Sequence, residues 1–322
     1  MVNDIQRDPD LWLEDGNIVI VASSTIAFRV YKGLLGRVSA VFEDTFKFKP
    51  DPEEKIDNCP VVHVPDSPVE MGHFLRAVFR SGLFLSRQRT LSFATIASII
   101  RIAHKYQAQE IVDVVSDRLE DFLIPGPGHW IDSPALSWKE RWELGQKQCG
   151  IAFDLQDAIE SVNLAHLIDK PLMLPVALYL CCLLDPVQLR HGITRADLNV
   201  VEKLSDEDFA RCVRALSVLA KECHATVLRS LAGWHTACSK CDNKLDAGFA
   251  TYGRDAREGL TWALSDMLVR VDRRAAPGWN LRNLCSLCRE SWWKCSAEEC
   301  VKTRKNLPKY FALEDLDGWD SE

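Results

Sequence analysis

Two short apolar runs near the N-terminus restrict most strongly what this chain can fold into. Residues 17–22 (Asn-Ile-Val-Ile-Val-Ala) and 25–30 (Thr-Ile-Ala-Phe-Arg-Val) are rich in β-branched side chains, and only Ser23 and Ser24 separate them. Two such runs joined by two polar residues are typical of a β-hairpin. The run at 61–64 (Val-Val-His-Val) predicts a third strand. The N-terminal part of the chain is therefore expected to contain a sheet.

Helices are predicted between and after these strands. Apolar residues recur at three- and four-residue spacing over residues 32–46, 92–106 and 109–123. Another helix has the clearest start, because Ser67 is followed by Pro68 at the first helical position and by Glu70 three residues after the serine. Strands followed by helices predict an α+β domain over residues 1–124.

Composition changes abruptly after this region. Trp12 is the only one of ten tryptophans before residue 130, and Cys59 is the only one of twelve cysteines before residue 149. A Pro-Gly-Pro-Gly run at 125–128 marks the change, and neither a helix nor a strand crosses such a run easily. We therefore predict a linker at 125–129, a helical extension at 130–231 and a Cys/Trp-rich lobe at 232–322.

The predicted extension shows helical periodicity throughout. The residues Ser205-Asp206-Glu207-Asp208 are typical of a capping box that opens a long helix. Four cysteines in this region are expected to be small buried apolar residues without a chemical role. They are Cys181, Cys182, Cys212 and Cys223.

Two cysteine pairs in the C-terminal lobe form the sharpest chemical motif. Cys238-x-x-Cys241 and Cys285-x-x-Cys288 each place two thiolates on one turn, and two such pairs complete a tetrahedral structural zinc site. The 43 residues between the pairs exceed the interval of a simple zinc ribbon, and the apolar spacing over 260–271 predicts an inserted helix. His235, Cys295 and Cys300 are the substitutes if one ligand is misassigned.

Two other functions compete with a structural zinc lobe. The first is a zinc-dependent regulator that binds nucleic acid. Residues 232–310 contain 14 Lys/Arg and nine Asp/Glu, but four thiolates on Zn²⁺ remove about two positive charges, so the surface is only mildly basic. The second is a CxxC thiol oxidoreductase, which the sequence favours less because neither pair lies in a βαβ context.

Motifs of enzymes are missing from the sequence. It contains no G-x-x-x-x-G-K-[ST], G-x-G-x-x-G, G-x-S-x-G or H-E-x-x-H, and the eight histidines are scattered. We therefore predict no catalytic residues, no organic cofactor and a non-enzymatic role.

Charge and cysteine usage indicate the environment of the chain. The net charge of −7 argues against broad electrostatic binding to nucleic acid or to an anionic membrane. The longest apolar run, residues 171–184, is too short to span a bilayer and contains two prolines. Twelve cysteines without a visible secretion signal are typical of thiols and metal ligands in a reducing compartment. These features predict an intracellular protein of the cytoplasm or nucleus.

The order of motifs over residues 15–123 resembles a BTB/POZ domain. The matching residues are 15–18 (Asp-Gly-Asn-Ile), 28–32 (Phe-Arg-Val-Tyr-Lys), 39–42 (Ser-Ala-Val-Phe), 61–66 (Val-Val-His-Val-Pro-Asp), 74–82 and 103–106 (Ala-His-Lys-Tyr). One residue departs from the pattern, since the family commonly has histidine where this chain has Tyr31. The segments 174–182, 204–208, 284–288 and 307–319 are similar to the helical, Cys-rich C-terminal extension of many fungal BTB proteins.

The resemblance implies a fold and a role. It implies a small sheet packed with helices that associates with itself or with another chain, so protein partners and a homo- or heterodimer are expected. BTB proteins include adaptors of cullin ubiquitin ligases and subunits of transcriptional complexes. The residues at 46–50 (Phe-Lys-Phe-Lys-Pro) lack the glutamate often used for the cullin contact, so they do not support that role. Residues 11–13 (Leu-Trp-Leu) either contribute to a dimer interface or pack on their own domain.

Overall fold

The structure is a computed structural model that describes residues 5–47, 54–126, 138–195, 200–233, 238, 241, 285–313 and 316–319. It is a mixture of helices and strands, which confirms the predicted α+β class. The chain divides into two compact units, and each unit gathers segments that are distant in sequence. Unit 1 comprises Met1–Asp121, Cys149–Lys170 and Ile193–Glu202; unit 2 comprises Phe122–Gln148, Pro171–Gly192 and Lys203–Glu322. The four-part division made from the sequence stays a prediction.

Unit 1 contains a five-stranded sheet in the order β1-β3-β2-β5-β4. The predicted hairpin is confirmed: β2 and β3 are antiparallel, and Ile18 lies opposite Val30. Ser23 and Ser24 turn the chain with φ angles of 45° and 56°, as a tight two-residue hairpin turn requires. The predicted third strand is also present and runs parallel to β2. The strands are β1 (Gln6–Trp12), β2 (Ile18–Ala22), β3 (Ile26–Val30), β4 (Lys55–Ile56) and β5 (Cys59–Val64).

Strand β1 was not predicted. It runs parallel to β3 and carries Leu11, which is fully buried in the core of unit 1. Leu11 therefore packs on its own unit, which was one of the two alternatives for residues 11–13. Trp12 is partly buried on the other side of the sheet, where the Arg7 guanidinium lies 4.4 Å from the centre of its ring.

The single helix predicted over residues 32–46 is wrong, because two helices form there. Ser39 has an extended backbone, and its hydroxyl accepts a hydrogen bond from the Phe42 amide and donates one to the Tyr106 carbonyl at 2.5 Å. A serine N-cap starts the second helix and ends the first. The helices of this region are α1 (Lys32–Val38), α2 (Ala40–Thr45), α3 (Pro68–Phe79), α4 (Ser81–Phe84), α5 (Phe93–Lys105) and α6 (Gln109–Leu123).

The main core of unit 1 lies between the sheet and the helices. Phe28 from the sheet, Phe74 from α3 and Tyr106 at the end of α5 are buried in one cluster. The rings of Phe42 and Tyr106 stack with their centres 4.4 Å apart, which joins the α1–α2 pair to the later helices. Hence the sheet, the α1–α2 pair, α3 and the end of α5 share one apolar core.

Residues from the predicted extension complete unit 1. Strand β6 (Leu91–Ser92) pairs with β7 (Ile151–Ala152), the helix α8 (Ala158–Leu167) follows, and β8 (Ile193–Arg195) pairs with β9 (Val200–Glu202). The Phe93 and Phe153 rings meet edge to face with their centres 5.1 Å apart. The expectation that 130–231 is helical throughout is therefore wrong. Strands of two or three residues leave no periodicity that a sequence could show.

Unit 2 is helical among its described residues. The predicted N-cap at Ser205 is confirmed, since its hydroxyl accepts a hydrogen bond from the Asp208 amide at 3.1 Å; the same hydroxyl donates to the Asp208 carboxylate at 2.7 Å. All four cysteines expected to be buried in this region are buried. Among the described residues no helix is long and apolar enough to cross a membrane. The helices are α7 (Trp138–Cys149), α9 (Leu174–Cys181), α10 (Pro186–His191), α11 (Asp206–Gly233), α12 (Ser286–Lys305) and α13 (Leu307–Tyr310).

Candidate metal centre

Helices α11 and α12 pack against each other in antiparallel orientation. Thr226 on α11 meets Thr303 on α12 through a 2.8 Å hydroxyl contact, and Arg229 donates to Glu299 at 2.8 Å. Moving forward along α11 thus corresponds to moving backward along α12. One Cys-x-x-Cys pair follows the end of α11, and the other lies at the start of α12.

Each pair is held by local backbone geometry. The Cys241 amide donates to the Cys238 carbonyl at 3.0 Å, which closes a tight turn. Cys285 occupies the N-cap position of α12, and Cys288 is the third residue of that helix. N-cap and third-residue side chains lie on the same side of a helix start, which is why a capping box can form there. Both spacings therefore direct two sulfurs to one point.

The four predicted ligands meet in the structure. The Sγ atoms of Cys238, Cys241, Cys285 and Cys288 all lie within 4.8 Å of one another. Cys238 Sγ is 3.7 Å from Cys285 Sγ and 3.8 Å from Cys288 Sγ. A tetrahedron with metal–sulfur bonds of about 2.3 Å has sulfur–sulfur edges of about 3.8 Å. These separations fit a four-thiolate site, and they are far longer than the roughly 2.05 Å of a disulfide bond.

The electrostatics of the cluster suit anionic ligands. Cys241 and Cys288 are buried, whereas Cys285 is exposed. The backbone amide and the thiol of Cys288 lower the pKa of Cys285 to about 7, and the neighbouring Cys241 thiol raises the pKa of Cys238. The backbone N–H groups at the start of α12 favour negative charge near Cys285. A helix start beside four sulfurs offsets part of the −2 charge that a Zn²⁺ tetrathiolate carries.

The proposed substitutes do not join the cluster. Cys295 and Cys300 lie on α12, about 10 and 18 Å further along its axis than Cys288. His235 and the inserted helix expected at 260–271 lie outside the described residues. Within the described part of the chain the cluster consists of the four predicted cysteines.

Sequence reasoning missed the contacts that bring the two pairs together. Glu222, Thr226 and Arg229 follow one another at spacings of four and three residues, so they form a polar stripe on α11. Arg229 bonds to both Glu222 and Glu299. Such a polar stripe within the apolar pattern of a helix was the one sequence signal that could have predicted a second helix packed against α11.

One basic residue of the 302–305 cluster on α12 forms an ion pair within unit 2. Lys302 donates to Glu299 at 2.6 Å, so this member of the 302–305 cluster is used inside unit 2.

Comparison of the chain with models of protein families, with curated proteins and with solved structures found no match.

Proposed function

We propose that this chain is a non-enzymatic protein-interaction module. In this proposal a BTB/POZ-like N-terminal region associates with itself or with a partner chain, and a zinc-stapled helical lobe provides a second contact. The order of elements in unit 1 is the observation that supports it. A hairpin, a helix pair broken at Ser39, a strand parallel to β2, the helix α3 and then the helices α5 and α6 follow in the order that the family resemblance implies.

The metal site supports the second half of the proposal. Four thiolates fill a tetrahedral zinc site and leave no position for a substrate, so the zinc would be structural. It would join the end of α11 to the start of α12 across 43 intervening residues. Metal binding then supplies part of the folding free energy of a small lobe.

Zinc content tests the metal site. We expect about one zinc per chain in the purified protein by elemental analysis, and a loss of most of it in Cys285→Ser. Cys295→Ser is the matched control, because it removes a thiol from the same helix without touching the cluster. Equal zinc content in the two variants, or no zinc in the wild-type chain, would contradict the site.

Light scattering of the full chain across a range of concentrations tests the association. We expect a dimer or a mixed oligomer. Exposed apolar residues of unit 1, namely Leu34, Val69 and Val114, are each changed to aspartate, and at least one change should shift the protein towards monomer. Val187→Asp places the same charge on an exposed apolar residue of unit 2 and should leave the mass unchanged. A monomer at every concentration would count against self-association.

A pull-down with the full chain then separates the two kinds of complex that the resemblance suggests. An adaptor would recover a cullin, and a transcriptional subunit would recover chromatin-associated proteins. The 46–50 segment, which lacks the glutamate of the cullin contact, favours the second result.

A further inference from the structure

A cavity of about 740 Å³ opens in unit 1 beside β1, the last turns of α3 and the start of α5. Three arginines line it, namely Arg76, Arg80 and Arg89, and Asp10 is the acidic residue in its wall. Pockets of this volume hold small organic ligands. Its lining is thus dominated by positive charge, although the whole chain has a net charge of −7.

Strand β1 fixes two of the arginines. Arg76 donates to the Asp8 carboxylate at 2.8 Å and contacts that of Asp10 at 3.4 Å, and Arg80 donates to the Asp10 carbonyl at 2.7 Å. The Arg80 side chain is 46% exposed, so its five N–H donors include some that can meet a further acceptor. These bonds orient the guanidinium groups before any ligand enters, which lowers the entropic cost of binding.

A buried arginine, Arg118, holds the backbone of the third cavity arginine, Arg89. Arg118 is 2% exposed and donates to the carbonyls of Leu85, Ser86, Arg89 and Gly150 at 2.6–2.8 Å. These bonds hold the loop between α4 and β6 in one conformation. The Arg89 guanidinium lies 5.3 Å from the centre of the Phe84 ring and forms no ion pair with any described residue. Among the described residues its charge is therefore not offset by an ion pair, and its backbone carbonyl is held by Arg118.

Hydroxyl groups lie beside these arginines. Thr90, Ser92 and Thr95 also line the cavity. The Ser92 and Thr95 hydroxyls are 2.8 Å apart, and the Ser92 hydroxyl caps α5 by accepting from the Thr95 amide at 3.2 Å. Hydroxyl donors and guanidinium forks are the side chains that most often bind phosphate oxygens.

We propose that this cavity binds a phosphate monoester, with Arg80 and Arg89 as the direct ligands of its oxygens and Arg76 as a positioning residue. Asp8 and Asp10 offset two of the three guanidinium charges, because Arg76 pairs with both and Arg80 lies 3.8 Å from the Asp10 carboxylate, so the group keeps one net positive charge for an anion. A carboxylate ligand would use one planar fork, whereas a tetrahedral phosphate presents oxygens to two arginines and the hydroxyls at once. The volume beyond the phosphate leaves space for the group that the ester carries.

Calorimetric titration of the full chain tests this at a fixed ionic strength of about 0.15 M, where weak surface attraction is screened. The probes are inorganic phosphate, O-phosphoserine, serine and a short peptide with and without a phosphoserine. We expect saturable binding of O-phosphoserine and none of serine. Tighter binding of the phosphopeptide would identify a phosphorylated protein segment as the source of the ester, and binding no tighter than that of O-phosphoserine would identify a small metabolite.

Arg89→Gln should weaken binding of O-phosphoserine at least tenfold. Arg87→Gln is the matched control, because Arg87 lies on the same loop but pairs with Asp121 outside the cavity. It should change the affinity less than twofold. Equal losses in the two variants, binding of inorganic phosphate alone, or no saturation by millimolar O-phosphoserine would overturn the proposal.

Discussion

Cys285 and Cys149 have opposite surroundings, and their reactivities should differ accordingly. Cys285 is exposed at the start of a helix, where its pKa is about 7. Burial raises the pKa of Cys149 to about 11. At pH 7.5 a large share of the Cys285 thiols and very few of the Cys149 thiols would therefore be ionised, and the thiolate is the nucleophile.

In zinc-free folded protein we therefore expect iodoacetamide to modify Cys285 well before Cys149, as followed by peptide mass spectrometry. Zinc should slow the reaction at Cys285, because a metal-bound thiolate is a weaker nucleophile, and should leave Cys149 unchanged. Equal rates at the two cysteines would contradict the difference in environment.

Residues whose role depends on local spacing could be predicted from the sequence. The two Cys-x-x-Cys pairs are such a case, since two intervening residues fix the turn that directs both sulfurs to one point. The cavity arginines are the opposite case. Arg80 and Arg89 come from different elements, and the Arg118 side chain that fixes Arg89 reaches carbonyls as far away as Gly150. No window of sequence contains that relation.

The start of α8 is an element whose stability should depend on pH. A short 3₁₀ turn, Leu155–Asp157, leads into it, and Asp154 and Asp157 form a reciprocal capping box. Burial raises the pKa of Asp157 to about 7, against the hydrogen bond that its carboxylate accepts from the Asp154 amide. Between pH 4 and pH 7 the folded chain thus holds a proton that the unfolded chain has released. This contribution to stability is complete below about pH 4 and is lost as the pH rises through 7.

Asp157→Asn cannot ionise but keeps an oxygen acceptor for the Asp154 amide. Relative to wild type, the variant should gain stability between pH 5 and pH 8 in urea-unfolding measurements. Asp117→Asn, at an exposed carboxylate on α6, should show no such gain. If both variants keep the same difference from wild type at every pH, the Asp157 proton does not contribute.

Elements were predictable where their own residues decide the structure. The hairpin β2–β3 follows from alternating β-branched residues and a two-residue turn. The break at Ser39 does not, because the apolar spacing continues through it and the Tyr106 carbonyl that bonds to its hydroxyl is 67 residues away. Strand β1 (Gln-Arg-Asp-Pro-Asp-Leu-Trp) has one proline and three charged residues, so its own β propensity is low. It forms because it pairs with β3 and buries Leu11.

At the scale of the whole molecule, a buried ionic cluster ties late residues of the chain to early ones within unit 1. Arg195 lies 3.3 Å from the Glu70 carboxylate and 3.6 Å from that of Glu160, and Arg101 bonds to Glu160 and Glu202. Burial raises the pKa of Glu160, and both arginines oppose that shift. A charge cluster of this kind is costly to break, because removal of one partner leaves another charge buried without compensation.

Arg195→Ala in the full chain should therefore destabilise the protein by about 3–5 kcal/mol, since it removes the arginine that pairs with Glu70 and leaves Glu160 and Glu202 with Arg101 alone. Urea unfolding would measure the loss. Arg190→Ala is the control, because this exposed arginine stacks on the Phe209 ring and pairs with no buried carboxylate in the described chain. Hydrogen exchange should locate the loss in α3, α5 and α8, which carry Glu70, Arg101 and Glu160. If the two variants are equally stable, the ionic contacts of Arg195 add little to the stability of unit 1.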